Sequence, residues 1–131
     1  MHQEPEPKLL RAALVGNALF SSSCGLLLLG AASTLGPVFG VPPMALRIVG
    51  LTLLPFAVAL VLNARRTRPN RSEAKLAVAL DLGWVVASLV LLIAGLWPLS
   101  AAGFWAVLGV ADCVLAFALL QAWGLHRWRA A

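Results

Sequence analysis

Two carboxylic acids, Asp81 and Asp112, stand inside long apolar segments and are the residues of this chain best suited to chemistry. Acids are costly in hydrocarbon, so those found within such segments commonly bind protons, ions or a polar partner. With a helical rise of about 1.5 Å per residue, Asp81 falls a turn or so inside one end of its segment, and Asp112 falls near mid-segment. Proton exchange is the chemistry that this pair suggests.

Asp81 also has a structural explanation, which we favour from the sequence. It can pair with Lys75, Arg71 or another arginine of the preceding basic segment, or it can accept a hydrogen bond from Asn17. An acid near the membrane interface reaches basic partners or water easily.

For Asp112 the structural and functional interpretations are evenly balanced. No basic residue lies at its depth, and desolvation favours its neutral, protonated form. A hydrogen bond to Thr52 or Ser21 would then hold it. In a bundle, polar stripes should face the interior, because polar groups that lack partners in lipid cost several kcal/mol each.

The other polar residues of the apolar segments complete a candidate intramembrane site. At about 100° per residue, each segment carries one polar stripe, and Gln121 falls on the side of its helix opposite Asp112. Asparagine, serine and threonine in membrane helices more often join helices than bind ligands. The predicted polar layer, centred on Asp112, contains Asp112, Asp81, Asn17, Thr52, Ser88 and Ser21.

No enzyme chemistry is predicted. His2 and His126 lie in the tails, so neither a histidine-based catalytic triad nor a metal cluster is expected within the spans. Cys24 and Cys113 lie mid-segment and form no C-x-x-C pair, so we interpret them as inert packing residues. This argues against the membrane thiol oxidoreductases, which need paired cysteines. No metal or cofactor is expected.

The elements that must position these residues are four apolar runs of membrane-spanning length. The chain of 131 residues is 61% hydrophobic and 11% charged, against about 25% charged in soluble domains. We predict an all-α membrane protein with a single domain, built as two hairpins in an antiparallel up-down bundle. Its predicted segments are a polar, disordered tail 1–8, spans 9–32, 45–62, 76–97 and 104–124, a Pro/Gly-rich turn 33–44, a loop 63–75 and a short connection 98–103.

Charge sets the predicted orientation. Most of the basic residues that give the net charge of +5 fall at the tails and in the central loop, and Arg47 alone falls at the opposite end. The positive-inside rule therefore predicts a multi-pass protein of the bacterial inner membrane with both termini cytoplasmic. Anionic lipid headgroups are the expected partners of Arg65, Arg66, Arg68, Arg71 and Lys75. No nucleic-acid motif is present.

The segments GNALFSSSCGLLLL, LDLGWVVASLVLL and ALLQ resemble those of small, uncharacterised bacterial four-span membrane proteins. This resemblance covers most of the chain, implies a four-helix membrane fold and brings no activity with it. Small multidrug transporters are similar in size and span number, but they depend on a glutamate in the first span, where this chain has Asn17. Fluoride channels are also similar in size, but their polar motif is absent.

The sequence thus leaves two functions open. The leading hypothesis is a non-enzymatic structural or accessory membrane protein that associates with further copies of itself. The alternative is a small proton-coupled transporter or channel that uses Asp112, with Asp81 as a cytoplasmic relay.

Overall fold

The computed structural model describes residues 7–130, with residues 129 and 130 described by their backbone alone. Within that range the chain is all-helical: α1 (Lys8–Gly30), α2 (Ala32–Phe39), α3 (Pro43–Arg65), α4 (Arg71–Ala94) and α5 (Ala101–Ala130). Four of these helices, α1, α3, α4 and α5, are long and apolar enough to cross a membrane. The predicted helical class and its four apolar helices are confirmed. The predicted tail lies mostly outside the described residues.

The turn predicted over residues 33–44 is instead mostly a short helix, α2. A proline removes one helical hydrogen bond, and a short helix can lose that bond and still form around Pro37. The helix ends where Gly40 adopts a φ of 74°, and the N–H of Val41 donates to the carbonyl of Gly36 at 2.9 Å. Pro43 then occupies the first turn of α3, where its missing N–H costs nothing.

The central loop is also shorter than predicted, because α3 continues to Arg65 and α4 starts at Arg71. Asn70 caps α4 by accepting a hydrogen bond from the N–H of Glu73 at 2.9 Å. Asn63 closes the loop, since its Nδ2 donates to the carbonyl of Asn70 at 3.1 Å and its Oδ1 accepts from the N–H of Asn70 at 2.7 Å.

The helix packing leaves a gap on one side. α1 packs against both α3 and α5, and α5 packs against α4, whereas α3 and α4 barely touch. α1 and α3 approach at backbone distance, because a Cβ built on Gly50 would lie 2.8 Å from the carbonyl oxygen of Gly25. The resulting order α3–α1–α5–α4 leaves a cleft between α3 and α4.

Basic side chains hold together the end of the molecule that contains Lys8 and the 66–70 loop. The Arg11 guanidinium donates to the carbonyls of Ala64, Arg66 and Thr67, each at 2.6 Å, at the C-terminus of α3. Arg71 lies 4.1 Å from the ring centroid of the buried Trp128. The buried apolar cluster of the fold lies at this same end and includes Leu10, Leu14, Leu60, Ala64, Ala77, Leu125 and Trp128.

Candidate functional site

A buried polar cluster joins α1, α4 and α5. Asn17 Nδ2 donates both to Asp81 Oδ2 at 2.8 Å and to Gln121 Oε1 at 2.9 Å. Gln121 Nε2 donates to the same Asp81 oxygen at 3.1 Å, and Ser21 Oγ donates to Asn17 Oδ1 at 3.1 Å. The four side chains are between 0% and 5% exposed. We call Asn17, Ser21, Asp81 and Gln121 the polar cluster.

The helical repeat brings these residues together. Asn17 and Ser21 are four apart on α1, so they lie on one face, one turn from each other. Asp81 lies in the buried stripe of α4, and Gln121 lies in that of α5, between Ala118 and Leu125. Each amide finds a partner in the cluster, which removes most of the cost of burying it.

Only one oxygen of the Asp81 carboxyl accepts hydrogen bonds from the described residues. Both of its hydrogen bonds reach Oδ2. Among the described residues Oδ1 has no hydrogen-bond donor, and it is not a fully enclosed atom either. Asp81 lines a cavity of about 210 Å³ together with Ser21, Thr52 and Trp84. Oδ1 is therefore the carboxyl oxygen with room for a further hydrogen bond, and it belongs to a side chain that lines this cavity.

A second, larger cavity of about 510 Å³ adjoins the first and extends toward the opposite end of the molecule. The two cavities share Cys24, Leu53, Trp84 and Val110 as lining residues. All five helices contribute to the larger cavity, and its walls are apolar apart from a few groups such as Ser88. We call the two cavities together the α3–α4 cleft, because they occupy the gap between those helices.

The remaining predicted site residues, Ser88 and Thr52, line the cavities but do not belong to the polar cluster. Ser88 is buried, donates to the carbonyl of Trp84 at 2.8 Å and lines the larger cavity. Thr52 donates to the carbonyl of Val49 at 2.7 Å and lines the smaller cavity, but it is exposed. Both hydroxyls therefore bond within their own helices rather than between helices.

Asp112 lies apart from all of these residues. It is exposed on the outer surface of α5, while Ala111 and Val114 face the interior. No hydrogen bond or ion pair reaches it from residues 7–128. The expectation of an interior polar layer centred on Asp112, bonded to Thr52 or Ser21, is thus corrected: the buried carboxyl is Asp81.

Gln121 is the member of the cluster that the sequence reasoning placed wrongly. Nine helical residues separate Asp112 from Gln121, so they lie on opposite sides of α5. A prediction that places Asp112 in the interior therefore places Gln121 on the outer surface. A usable signal was the stripe of Ala111, Ala118 and Gln121 at helical spacing, since small residues mark close helix contacts in membranes.

The predicted headgroup-contacting residues surround the short loop. Arg66 forms an ion pair with Glu73, with Nη1 2.9 Å from Oε2. Arg71 and Arg68 lie over the ring of Trp128, at 4.1 Å and 5.9 Å from its centroid. The exposed members of the group are Arg65, Arg66, Arg68 and Lys75.

Comparisons with known protein families, with curated proteins and with solved structures give no match.

Proposed function

We propose that this chain is a non-enzymatic integral membrane protein that binds a small hydrophobic molecule in the α3–α4 cleft. The molecule would carry one cationic or hydrogen-bond-donating group, which Asp81 Oδ1 receives. The observation that carries this proposal is the adjacency of an apolar cavity of about 510 Å³ to a smaller one lined by Asp81, whose carboxyl accepts hydrogen bonds at one oxygen only. Small-molecule pockets commonly measure about 300–1,000 Å³ and place few polar groups among apolar walls.

The open side of the cleft suggests how such a molecule enters. α3 and α4 barely touch, and the exposed residues Leu80 and Ala87 border the cleft on α4. A hydrophobic molecule that is already dissolved in the bilayer can therefore enter sideways. Its apolar part would fill the larger cavity, while its polar group reaches Asp81 beyond Trp84.

The polar chemistry of the cleft fits binding rather than catalysis. Asp81 is held by the amides of Asn17 and Gln121, which fix the carboxyl in place but do not themselves exchange protons at neutral pH. A preformed carboxyl of this kind selects a ligand by charge or hydrogen bonding. A role as an accessory binding protein follows.

Blocking the cleft tests this proposal. We expect Ala87→Trp, which places an indole in the larger cavity, to abolish binding of radiolabelled tetraphenylphosphonium to the purified protein. Val86→Trp is the matched control, because Val86 is the neighbouring residue, is 60% exposed and does not line the cleft. Failure of the wild type to bind, or equal binding by both tryptophan variants, would contradict the proposal.

Proton-coupled transport is the second candidate, and the open Oδ1 of Asp81 favours it. A single carboxyl that binds either a proton or a cation can exchange one for the other across the membrane. The proton-binding residue would then be Asp81 rather than Asp112, which lies outside the cleft. A proton gradient should drive tetraphenylphosphonium flux in proteoliposomes with wild-type protein and with Asp112→Asn, but not with Asp81→Asn. Flux that survives Asp81→Asn would reject this candidate.

We further propose that the protein is a multi-pass protein of the bacterial inner membrane with both termini in the cytoplasm. Support comes from the contacts of Arg11 with the 66–67 backbone and of Arg71 with Trp128, which gather basic residues of α1, the 66–70 loop and the start of α4 beside the end of α5. Basic residues concentrate on the cytoplasmic side of membrane proteins. The larger cavity would then lie toward the outer leaflet.

A further inference from the structure

The outer face of α5 carries a carboxyl where lipid would be expected. We define this face as the exposed stripe Trp105, Gly109, Asp112, Ala116, Leu119 and Trp123. Trp105 and Trp123 are 67% and 57% exposed, and they lie toward the two ends of the stripe. Asp112 lies near the middle of the apolar segment Ala101–Trp128. This face points away from the α3–α4 cleft.

Lipid tails offer Asp112 no hydrogen bond. An acid at this depth, even in its protonated form, is costly unless another polar group meets it. Residues 7–128 supply no such group, so Asp112 needs a partner from outside that range.

The residues beside Asp112 favour a second helix as that partner. A Cβ built on Gly109 meets no atom within 4 Å, and Ala116, one turn beyond Asp112, is also exposed. Small residues on both sides of a polar one let a neighbouring helix approach to backbone distance, which is how helices associate in membranes.

We propose that the outer face of α5 is a homodimer interface in which the Asp112 carboxyls of two copies hydrogen-bond to each other. Copies inserted with the same orientation can be related by a two-fold axis along the membrane normal, which places identical residues at the same depth. Two carboxyls that share one or two protons are each other's donor and acceptor, so the face is complementary to itself. A second copy therefore supplies the group that residues 7–128 of one copy do not supply.

Cysteine cross-linking in native membranes tests which face is used. In a Cys24→Ala, Cys113→Ala background, Ala116→Cys should form a disulfide-linked dimer under mild oxidation. The control is Ala87→Cys, which is exposed at the α3–α4 cleft. Dimers linked through residue 87 but not 116 would assign the interface to the cleft and overturn the proposal, as would equal cross-linking at both positions.

A measurement of dimerisation tests the role of Asp112. Energy transfer between labelled copies would report the dimer in vesicles of increasing lipid content. Asp112→Leu should raise the dimer dissociation constant by roughly 5- to 30-fold, the effect of losing about 1–2 kcal/mol of interhelical hydrogen bonding. Asp112→Asn should retain most of the association, because amides also pair with each other. A wild type that stays monomeric, with lipid or another protein bound instead, would contradict the proposal, and so would an unchanged Asp112→Leu variant.

Substitutions at two glycines, Gly109 and Gly83, test the interface without changing Asp112. Gly109→Leu should weaken the dimer by filling the space that the second helix needs, while leaving the monomer folded. Gly83→Leu is the matched control, because Gly83 is exposed mid-helix on α4 and a Cβ there also meets no atom within 4 Å. Equal effects of the two substitutions would reject the outer face of α5 as the interface.

Discussion

At the scale of single residues, the two aspartates differ in burial and in hydrogen bonding. Asp81 is 5% exposed and accepts hydrogen bonds from two amides, so the monomer itself holds its carboxyl. Asp112 is exposed and has no partner among residues 7–128. We therefore propose that the carboxyl of Asp81 receives a ligand inside the protein and that the carboxyl of Asp112 meets a second copy of the chain.

Asn17 should be the most sensitive member of the polar cluster, because its Nδ2 serves both Asp81 and Gln121. We expect Asn17→Leu to lower the free energy of unfolding by about 1–2 kcal/mol, the range for interhelical hydrogen bonds in membranes. Denaturation of the protein in mixed micelles by sodium dodecyl sulfate measures this.

Thr52→Val is the control for Asn17→Leu. The Thr52 hydroxyl bonds within its own helix, so its loss should change stability by less than about 0.5 kcal/mol. Equal losses from the two variants would mean that the cluster does not join the helices.

The sequence indicated the partnership of Asn17 with Asp81 as one alternative among several, but it could not select it. Depth follows from residue counting, so the sequence could place Asn17 and Asp81 in the same half of the membrane. The rotation of α5 does not follow from counting. Apolar residues lie on every side of α5. A rotation that turns Asp112 toward the interior therefore fits the hydrophobic pattern as well as the observed rotation does. Packing of Ala111 and Ala118 against neighbouring helices decides the rotation.

At the scale of elements, the α1–α3 pair depends on two glycines that face each other. A Cβ on Gly50 would lie 2.8 Å from the carbonyl oxygen of Gly25, so the two helices would have to separate. We expect Gly50→Ala to destabilise the protein by about 1–3 kcal/mol, as overpacking does in cores. The same denaturation experiment measures the change.

Gly83→Ala provides the contrast, since its Cβ meets nothing within 4 Å. It should stabilise α4 by about 0.5–1 kcal/mol, because alanine is the better helix former. Destabilisation by Gly83→Ala, or no effect of Gly50→Ala, would contradict the packing described for these helices.

Hydrophobic patterning predicts the long helices well but not their ends. Runs of apolar residues locate α1, α3, α4 and α5, since each must match the hydrocarbon thickness. Helix ends depend on local hydrogen bonds. The Asn70–Glu73 cap was readable as an asparagine followed three residues later by a glutamate, whereas the Asn63–Asn70 pair needs the folded loop. The sequence does not predict helix α2, because proline and glycine at the density found in residues 33–44 usually end a helix.

At the scale of the whole molecule, orientation in the membrane is the property that charge alone predicts. Reporter fusions after Lys75 and after Pro98 should show the first on the cytoplasmic side and the second on the outer side. A reporter after Lys75 on the outer side would reverse the orientation and would place the larger cavity toward the cytoplasm.

The cleft is likewise a property of the whole molecule, because it results from an incomplete ring of helices. α3 packs against α1, α1 against α5 and α5 against α4, whereas α4 and α3 barely touch. No local pattern in the sequence marks such a gap, since the cleft-lining residues Leu53 and Leu91 are as apolar as those that face lipid. We propose that this cleft gives a ligand access from the bilayer to the carboxyl of Asp81.

Affinity for tetraphenylphosphonium in matched asparagine variants of the two aspartates tests the central claim most directly. We predict that Asp81→Asn weakens binding about tenfold or more, because the ligand's cation loses its counter-charge, a change that corresponds to about 1.4 kcal/mol. Asp112→Asn, whose site lies outside the cleft, should bind as the wild type does. Wild-type affinity in Asp81→Asn, or a comparable loss in Asp112→Asn, would contradict the assignment of the binding site to Asp81 and the α3–α4 cleft.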